Sequence, residues 1–287
     1  MTSKSFILLL ITLLLSSCGD LSEPSQQMSL AQIKSNGEGS ITLAYVPSDG
    51  FSYEDESGNL TGVTIEIVRD FAAFAEDQHG VEIEIHYMPI DRFGAFYDFV
   101  QQSEGGVFGV ANVTITEERK QELAFSPSYM RNIATLITHS DTPYINSFDE
   151  IPEKFEGLNA LAFEGTLHEE RLRTIVEDHI PQALIHFAQS NNEIIERVAE
   201  SDEYFAYVDI YNYWRAAELD LPLRRHEEGD VASEEFGIIL PLNSDWHELL
   251  VRFFEADGGY VQSERYRQLM SAHLGNELAE LLLSQMN

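Results

Sequence analysis

Residues 107–120 read VFGVANVTITEERK and contain the pattern on which the fold prediction depends most. The apolar first half of this stretch, residues 107–113, predicts a buried strand. Its polar second half places Arg119 at the start of a short helix directly after that strand. A guanidinium is always charged and pairs with a carboxylate through two parallel hydrogen bonds, so Arg119 is a candidate for binding a ligand carboxylate. The alternative from sequence position alone is a surface ion pair with Glu122 or another acid.

Outward from this stretch, strands alternate with helices in both directions. On the amino-terminal side, the apolar spacing predicts a strand, a short hairpin, a helix, a strand and a helix at residues 41–46, 51–62, 65–75, 81–87 and 93–100. On the carboxy-terminal side, strands and helices alternate again at residues 158–163, 169–178, 183–187, 191–200 and 204–208, and two amphipathic helices follow near residues 245–255 and 260–273. Repeated β-α-β units favour an α/β fold, here as two similar lobes whose sheets are covered by helices.

The amino terminus is typical of an export signal. Lys4 precedes an apolar run at residues 6–15, which is too short to span a bilayer, and small residues then lead to Cys18. The position of Cys18 resembles the bacterial lipobox, which implies cleavage before Cys18 and its acylation as a membrane anchor. The alternative is an ordinary signal peptide followed by an accidental cysteine. Residues 18–40 are polar and are predicted to be a flexible tether, after a signal peptide at residues 1–17.

Composition and charge exclude several classes of protein. The chain has 287 residues, of which 49 are Asp or Glu and 17 are Lys or Arg, and its net charge is -32. Nucleic-acid binding needs clustered basic residues, and so does docking on anionic lipid through a basic face, so both are disfavoured. Because Cys18 is the only cysteine, the chain has no intramolecular disulfide and no cysteine-based zinc site. No cofactor and no metal are expected.

Several short motifs, taken together, carry a family resemblance. In chain order they are residues 58–62, 114–120 with 125–126 and 129, 164–166, 209, 236–241 and 258–260. They resemble the bacterial extracellular solute-binding proteins of family 3, the substrate-binding subunits of polar amino-acid ABC importers. The resemblance implies a two-lobe periplasmic-binding-protein-like fold of type II, with two crossover segments, a ligand cleft and hinge closure. Residues 41–131 with 236–275 would form lobe 1 and residues 132–235 lobe 2, followed by a tail at residues 276–287.

The resemblance also implies which residues bind the ligand. Arg119 would bind the ligand carboxylate with help from Thr114 and from the backbone near Asn112, which stands where the family has a glycine. Thr114 could instead be an ordinary strand end. Asp209 would receive the α-amino group, although an aspartate at that position could simply cap the following helix.

Three further positions complete the predicted site. Phe93 would stack on the ligand, or it could be an ordinary core residue at helical spacing. Thr166 belongs to the motif at residues 164–166, and Glu164 stands where the family often has Lys, Gln or Ser. An acid there is consistent with a zwitterionic ligand that has a cationic or hydrogen-bonding side chain.

Three functions are compatible with the sequence. The resemblance favours a monomeric, lipid-anchored, extracytoplasmic protein that captures an amino acid for the permease of an ABC importer. One alternative is a lipoprotein sensor that binds a ligand and signals to a partner. The other is an enzyme on the same fold, such as a cyclohexadienyl dehydratase with Glu164 or Glu169 as acid or base. The sequence contains no zinc-protease, nucleophile-elbow or phosphate-loop motif, so we expect no catalytic residue.

Overall fold

The structure is a computed structural model that describes residues 27–284. Its strands are β1 (Glu38–Tyr45), β2 (Tyr53–Glu54), β3 (Leu60–Thr61), β4 (Glu82–Pro89), β5 (Val107–Thr114), β6 (Leu123–Phe125), β7 (Met130–His139), β8 (Asn159–Phe163), β9 (Ile185–Ala188), β10 (Tyr204–Asp209) and β11 (Leu223–Pro241). Its α-helices are α1 (Leu30–Asn36), α2 (Val63–His79), α3 (Phe93–Gln102), α4 (Ile151–Lys154), α5 (Leu167–His179), α6 (Asn191–Glu200), α7 (Ile210–Glu218), α8 (His247–Glu255), α9 (Glu264–Leu274) and α10 (Asn276–Ser284).

The first lobe is built on parallel strands. β1 pairs in parallel with β4 on one side and with β5 on the other, with α2 and α3 as the connections between them. The apolar side of α2 packs into an aromatic cluster, where Phe71 contacts Phe108, Trp246 and Phe253 at ring-centroid distances of 5.3, 6.0 and 5.7 Å. This packing buries the apolar side chains that recur at helical spacing over residues 65–75.

The second lobe repeats this arrangement with the same strand order, because its first strand, β8, lies between β9 and β10. β10 pairs in parallel with β8, and β8 pairs in parallel with β9. Between them, α5 and α6 supply the crossover connections. The bounds of α6 agree with the prediction because the Ser190 hydroxyl accepts a hydrogen bond from the amide of Glu193 at 3.1 Å and so fixes the helix start.

Two long strands join the lobes. β7 and β11 pair antiparallel in the middle of the sheet, whose order is β4-β1-β5-β11-β7-β10-β8-β9, with β6 also pairing β11. Their register pairs Asn132 with Glu234 at the predicted border between the lobes. The pairing is interrupted between His226 and Val231, where the register shifts. These strands are the two predicted crossover segments.

The predicted tether is folded over its second part. Residues 30–36 form α1, which begins with a capping box: the Ser29 hydroxyl accepts from the amide of Gln32 at 3.2 Å, and the Gln32 side chain accepts from the amide of Ser29 at 2.8 Å. Leu30 and Ile33 are buried in the core of the first lobe. The expectation of a flexible segment as far as residue 40 is therefore wrong for residues 30–40.

The predicted carboxy-terminal tail is also ordered where it is described. Residues 276–284 form α10, and Leu278, Ala279 and Leu282 are buried in the same core as α1. The spacing of these side chains gives the helix one apolar face, which is why it packs rather than extends. Within residues 27–284, no helix is long and apolar enough to cross a bilayer. Cys18 and the predicted signal peptide lie outside the described residues.

Candidate functional site

A cavity of about 420 Å³ lies between the two lobes. The first lobe contributes residues at or after the carboxyl ends of β1 and β5 and the start of α3, and the second contributes residues at or after the carboxyl ends of β8, β9 and β10. Ligands commonly bind where the carboxyl ends of neighbouring strands meet at a crevice. The cavity is lined by Val46, Pro47, Ser48, Asp49, Ser52, Tyr53, Glu54, Phe93, Ala111, Asn112, Thr114, Arg119, Phe163, Thr166, Leu167, His168, Ser190, Asn191, Asn192, Asp209, Tyr211, Asn212 and Phe236.

Arg119 lines this cavity and has no carboxylate partner within the described residues. Its guanidinium lies 5.6 Å from the ring centroids of both Phe93 and Tyr97, and one terminal nitrogen donates to the carbonyl of Thr114 at 3.2 Å. No Asp or Glu oxygen of residues 27–284 comes within 4.0 Å of it. Glu122, the alternative partner, instead accepts a hydrogen bond from Tyr97 at 2.8 Å. Burial lowers the pKa of Arg119 from its ordinary value.

Thr114 and Asn112 lie on the same strand as predicted, at the end of β5. Asn112 has a positive φ of 51°, in the left-handed region where glycine is favoured and asparagine is among the side chains best tolerated. This backbone geometry explains how Asn112 can stand where the family resemblance expects glycine. Its side chain accepts a hydrogen bond from Tyr129 at 2.7 Å and donates to the hydroxyl of Tyr211 at 2.9 Å.

Phe93 is a core residue that also lines the cavity, and its stacking on a ligand stays a prediction. It is buried and packs at 6.0 Å from Phe96 within the first lobe, yet it also lines the cavity. On the other side of the cavity it meets Phe163 of β8, edge to face, at 6.4 Å. The ring therefore contacts both lobes as well as the Arg119 guanidinium.

Asp209 stands at the start of α7 but makes no capping hydrogen bond there. Instead its Oδ1 accepts from the side-chain amide of Asn132 at 2.5 Å and lies 3.1 Å from Nε2 of His168. The carboxylate is buried and lines the cavity. The helix-capping alternative is thus not realised, and the carboxylate is directed into the space between the lobes.

The residues of the motif at 164–166 line different pockets. Thr166 lines the cavity and caps α5, and its hydroxyl donates to the carbonyl of Phe163 at 2.8 Å. Glu164 is exposed and does not line this cavity; it lines a neighbouring pocket between the lobes with Arg92 and Asp98, and its contact with a ligand stays a prediction. Glu164 lies in the turn that follows β8, whereas Phe163, the last residue of the strand, lines both the cavity and the neighbouring pocket.

Several lining residues were not predicted from the sequence. Tyr211 is fully buried, and burial raises the pKa of its phenol, so the hydroxyl stays protonated and binds Asn112 and Ser48. Asn191 has a buried side-chain oxygen without a hydrogen-bond partner among the described residues. In a sequence, an asparagine at the start of a helix is usually interpreted as a helix cap. Only the position of Asn191 just after the end of β9 could have indicated that it lines the site.

Contacts across the mouth of the cavity bring the lobes together. Asp49 of the first lobe accepts from the side chain of Asn192 at 3.3 Å and pairs with Arg215 at 3.2 Å, both in the second lobe. The described residues contain no group of three or more His, Cys, Asp or Glu that could hold a metal ion. The site thus offers a cation, an anion, aromatic rings and amides for a small organic solute.

Comparisons with known proteins agree with this architecture. Residues 41–275 match the bacterial extracellular solute-binding proteins, family 3. An ancestral arginine-binding protein bound to arginine is similar in structure with a TM-score of 0.64 at 18% identity, covering 82% of this chain and 98% of that one. A putative L-cystine ABC transporter from Listeria monocytogenes has a TM-score of 0.67 at 14% identity, covering 83% and 97%. At these identities the likeness shows the fold, and it confirms the predicted two-lobe α/β class of type II.

A sequence similarity to a curated enzyme covers only part of that enzyme's length. A membrane-bound lytic murein transglycosylase F from Pseudomonas fluorescens is 26% identical over 170 residues, which are 59% of this chain and 31% of the relative. This chain therefore spans about a third of the length of that curated relative. The match lies within a protein of different overall size, so the relative's activity is not transferred to this chain.

Proposed function

We propose that this chain, which belongs to the bacterial extracellular solute-binding proteins of family 3, captures a free α-amino acid outside the cytoplasm. The ligand carboxylate would bind Arg119 on the first lobe, and the ligand ammonium would bind Asp209 on the second. The polar groups at residues 48–54 and 190–192 would surround its side chain, which favours an amino acid with a cationic or amide-bearing side chain.

The observation that carries this proposal is the complementary pair of charges in one cavity. Arg119 is half-buried without a carboxylate partner in the described residues, and Asp209 is buried with its Oδ1 beside the Asn132 amide and Nε2 of His168. Withdrawing charges from water is unfavourable unless a partner of opposite sign compensates them. A zwitterion supplies both partners at once, and the cavity volume suits a small solute.

A thermal-shift screen tests the proposal directly. The proteinogenic L-amino acids are added singly to the purified protein, because a ligand that binds only the native state raises the melting temperature. L-Arginine and L-glutamine represent the cationic and amide side chains. Each hit is compared with its decarboxylated amine (agmatine in the case of L-arginine), which keeps the side chain but cannot pair with Arg119. A rise with an amino acid and none with its amine supports the proposal; no rise with any amino acid would refute it.

The wider role that we propose is delivery of this ligand to an ABC importer from a lipid anchor at Cys18. Several acyl chains hold a protein stably on a membrane where one does not. We expect Cys18→Ala to release the protein from the membrane fraction or to leave it unprocessed. A wild-type protein that is soluble and unacylated would contradict the anchor. Uptake of the labelled ligand by cells with and without this protein distinguishes an importer subunit from a sensor.

Binding without chemistry is the form of the proposal that the site supports best. The two glutamates considered for a dehydratase do not line the cavity: Glu164 is exposed on another pocket, and Glu169 is bound to Arg173 at 2.6 Å and to the amide of Gly165 at 2.7 Å. A general acid or base must be within hydrogen-bond reach of the reacting proton. Unchanged ligand after prolonged incubation, measured by mass spectrometry, is the expected result.

A further inference from the structure

Behind Asp209 lies a closed ring of hydrogen bonds, which we name the Asp209 ring and which consists of Asp209, Asn132, Glu234, Arg171 and His168. The Asn132 amide donates to Oδ1 of Asp209 at 2.5 Å and to Oε2 of Glu234 at 2.8 Å. Arg171 donates to Oε1 of Glu234 and to Nδ1 of His168, the latter at 3.0 Å. Nε2 of His168 closes the ring on Oδ1 of Asp209 at 3.1 Å.

The hydrogen bonds of the ring assign a donor and an acceptor role to the two nitrogens of His168. An arginine nitrogen can only donate a hydrogen bond, so Nδ1 of His168 must accept from Arg171. The proton of the neutral imidazole is therefore on Nε2, and it is donated to Asp209. The His168 ring also stacks on Tyr207 at 6.2 Å, which holds its plane. His168 consequently presents a donor to Asp209 without adding a positive charge to the cavity.

The ring also leaves one negative charge uncompensated, which is available to a ligand. Arg171 compensates the buried carboxylate of Glu234, while Asp209 receives only neutral donors from Asn132 and His168. The two carboxylates and one guanidinium leave one negative charge, and it belongs to the carboxylate that lines the cavity. All the bonds that ring members make to Asp209 end on Oδ1, so Oδ2 is the atom left to accept from a ligand.

We propose that Arg171 and Glu234 are positioning residues for the ligand ammonium, acting on Asp209 through His168 and Asn132. Neither residue lines the cavity, so neither is a contact of the ligand. Glu234 and Asn132 are paired in register on the crossover strands β11 and β7, which gives the ring a rigid support. This inference rests on the proposed function, because it explains how the amino-acid site is held in place.

The first test compares Arg171→Met with Arg173→Met. Arg173 is on the same helix, is exposed and pairs with Glu169 within one turn, so it is a matched control for the loss of an ion pair. We expect Arg171→Met to weaken binding of L-arginine or L-glutamine, whichever gives the larger thermal shift with wild type, by about 10- to 100-fold, the range found when a group that orients a metal-binding side chain is removed. Arg173→Met should bind like wild type.

Further variants keep the inference testable if Arg171→Met does not fold, since that change leaves the Glu234 carboxylate buried and uncompensated. The double variant Arg171→Met with Glu234→Gln removes both charges together and should show the same loss of affinity. His168→Leu should also weaken binding, and His168→Gln should restore most of that loss, because an amide can accept from Arg171 and donate to Asp209. A bulk packing role would not distinguish leucine from glutamine in this way.

Nitrogen NMR of the imidazole in the ligand-free protein gives a readout that needs no ligand. We expect His168 to be the neutral tautomer with the proton on Nε2 at about pH 7, and we expect this signal to change in Arg171→Met. A proton on Nδ1 in wild type would overturn the inference. So would a folded Arg171→Met, or a folded double variant, that binds within about threefold of wild type. If wild type binds no amino acid, the proposed function itself fails, which is visible before any variant is made.

Discussion

Replacing Arg119 with methionine removes the charge at the proposed carboxylate site while keeping most of the side chain's apolar bulk. The guanidinium contributes two ring contacts, to Phe93 and Tyr97, and one hydrogen bond to the carbonyl of Thr114. Each cation–π contact at a partly exposed position is worth about 0.5–1 kcal/mol. Their loss is opposed by relief of the desolvation of a cation that has no carboxylate partner in the described residues.

These opposing changes predict a small effect on stability and a large one on binding. A net change near 1 kcal/mol corresponds to about 2–4 °C in the melting temperature of a protein of this size. In the complex, Arg119→Met leaves the ligand carboxylate buried without its partner, which costs about 2–5 kcal/mol. Since about 1.4 kcal/mol is tenfold, we expect binding to weaken from about 30-fold to several thousandfold.

Isothermal titration calorimetry with the amino acid found in the thermal-shift screen measures this loss. Arg197→Met is the matched control, because Arg197 also lies over an aromatic ring, that of Tyr204 at 4.8 Å, and pairs with Glu193 at 3.3 Å, but it does not line the cavity. It should bind normally. If Arg119→Met is folded and binds within about threefold of wild type, the carboxylate site is elsewhere and the reasoning is refuted.

Three other predictions test the ammonium site, the closure of the cleft and a buried histidine. Asp209→Asn keeps an oxygen for Asn132 but removes the charge, so calorimetry should show binding about 30-fold weaker or more, and near-normal affinity would contradict its role. Ligand that contacts both lobes should reduce the radius of gyration in small-angle scattering, whereas an unchanged profile at saturation would indicate a rigid module. Burial lowers the pKa of His226 to about 4, and its nitrogens bind Thr138 and the amide of Ile145 as a neutral ring. Below about pH 6.5 the imidazole is protonated in the unfolded chain but stays neutral in the native one. The free energy of unfolding should therefore fall by up to about 3 kcal/mol through this group as pH falls toward 4. Urea unfolding of wild type and His226→Gln at about pH 7 and pH 4.5 should show the steeper loss in wild type; parallel losses would contradict it.

Local patterns in the sequence predicted most of the elements of this fold. The helix at residues 191–200 begins after Ser190 because a serine hydroxyl satisfies an amide of the first turn, and this interaction is complete within four residues. The missed helix α1 had a signal of the same kind, the Ser29 to Gln32 capping box before the buried Ile33, and it could have been found. The sequence could not show that Glu164 lies outside the main cavity, because a motif does not specify on which side of the strand end each side chain falls.

The succession of strands, helices and caps depends on neighbouring residues and could therefore be predicted from the sequence, as could the positions of Arg119 after β5 and Asp209 at the end of β10. Which side chains surround these two charges could be seen only in the folded structure. Asp209 meets His168, Asn132 and the ring behind them from positions 41 and 77 residues away along the chain. Such contacts arise from the pairing of β7, β10 and β11, and register between distant strands is set by packing of the whole sheet rather than by any local pattern.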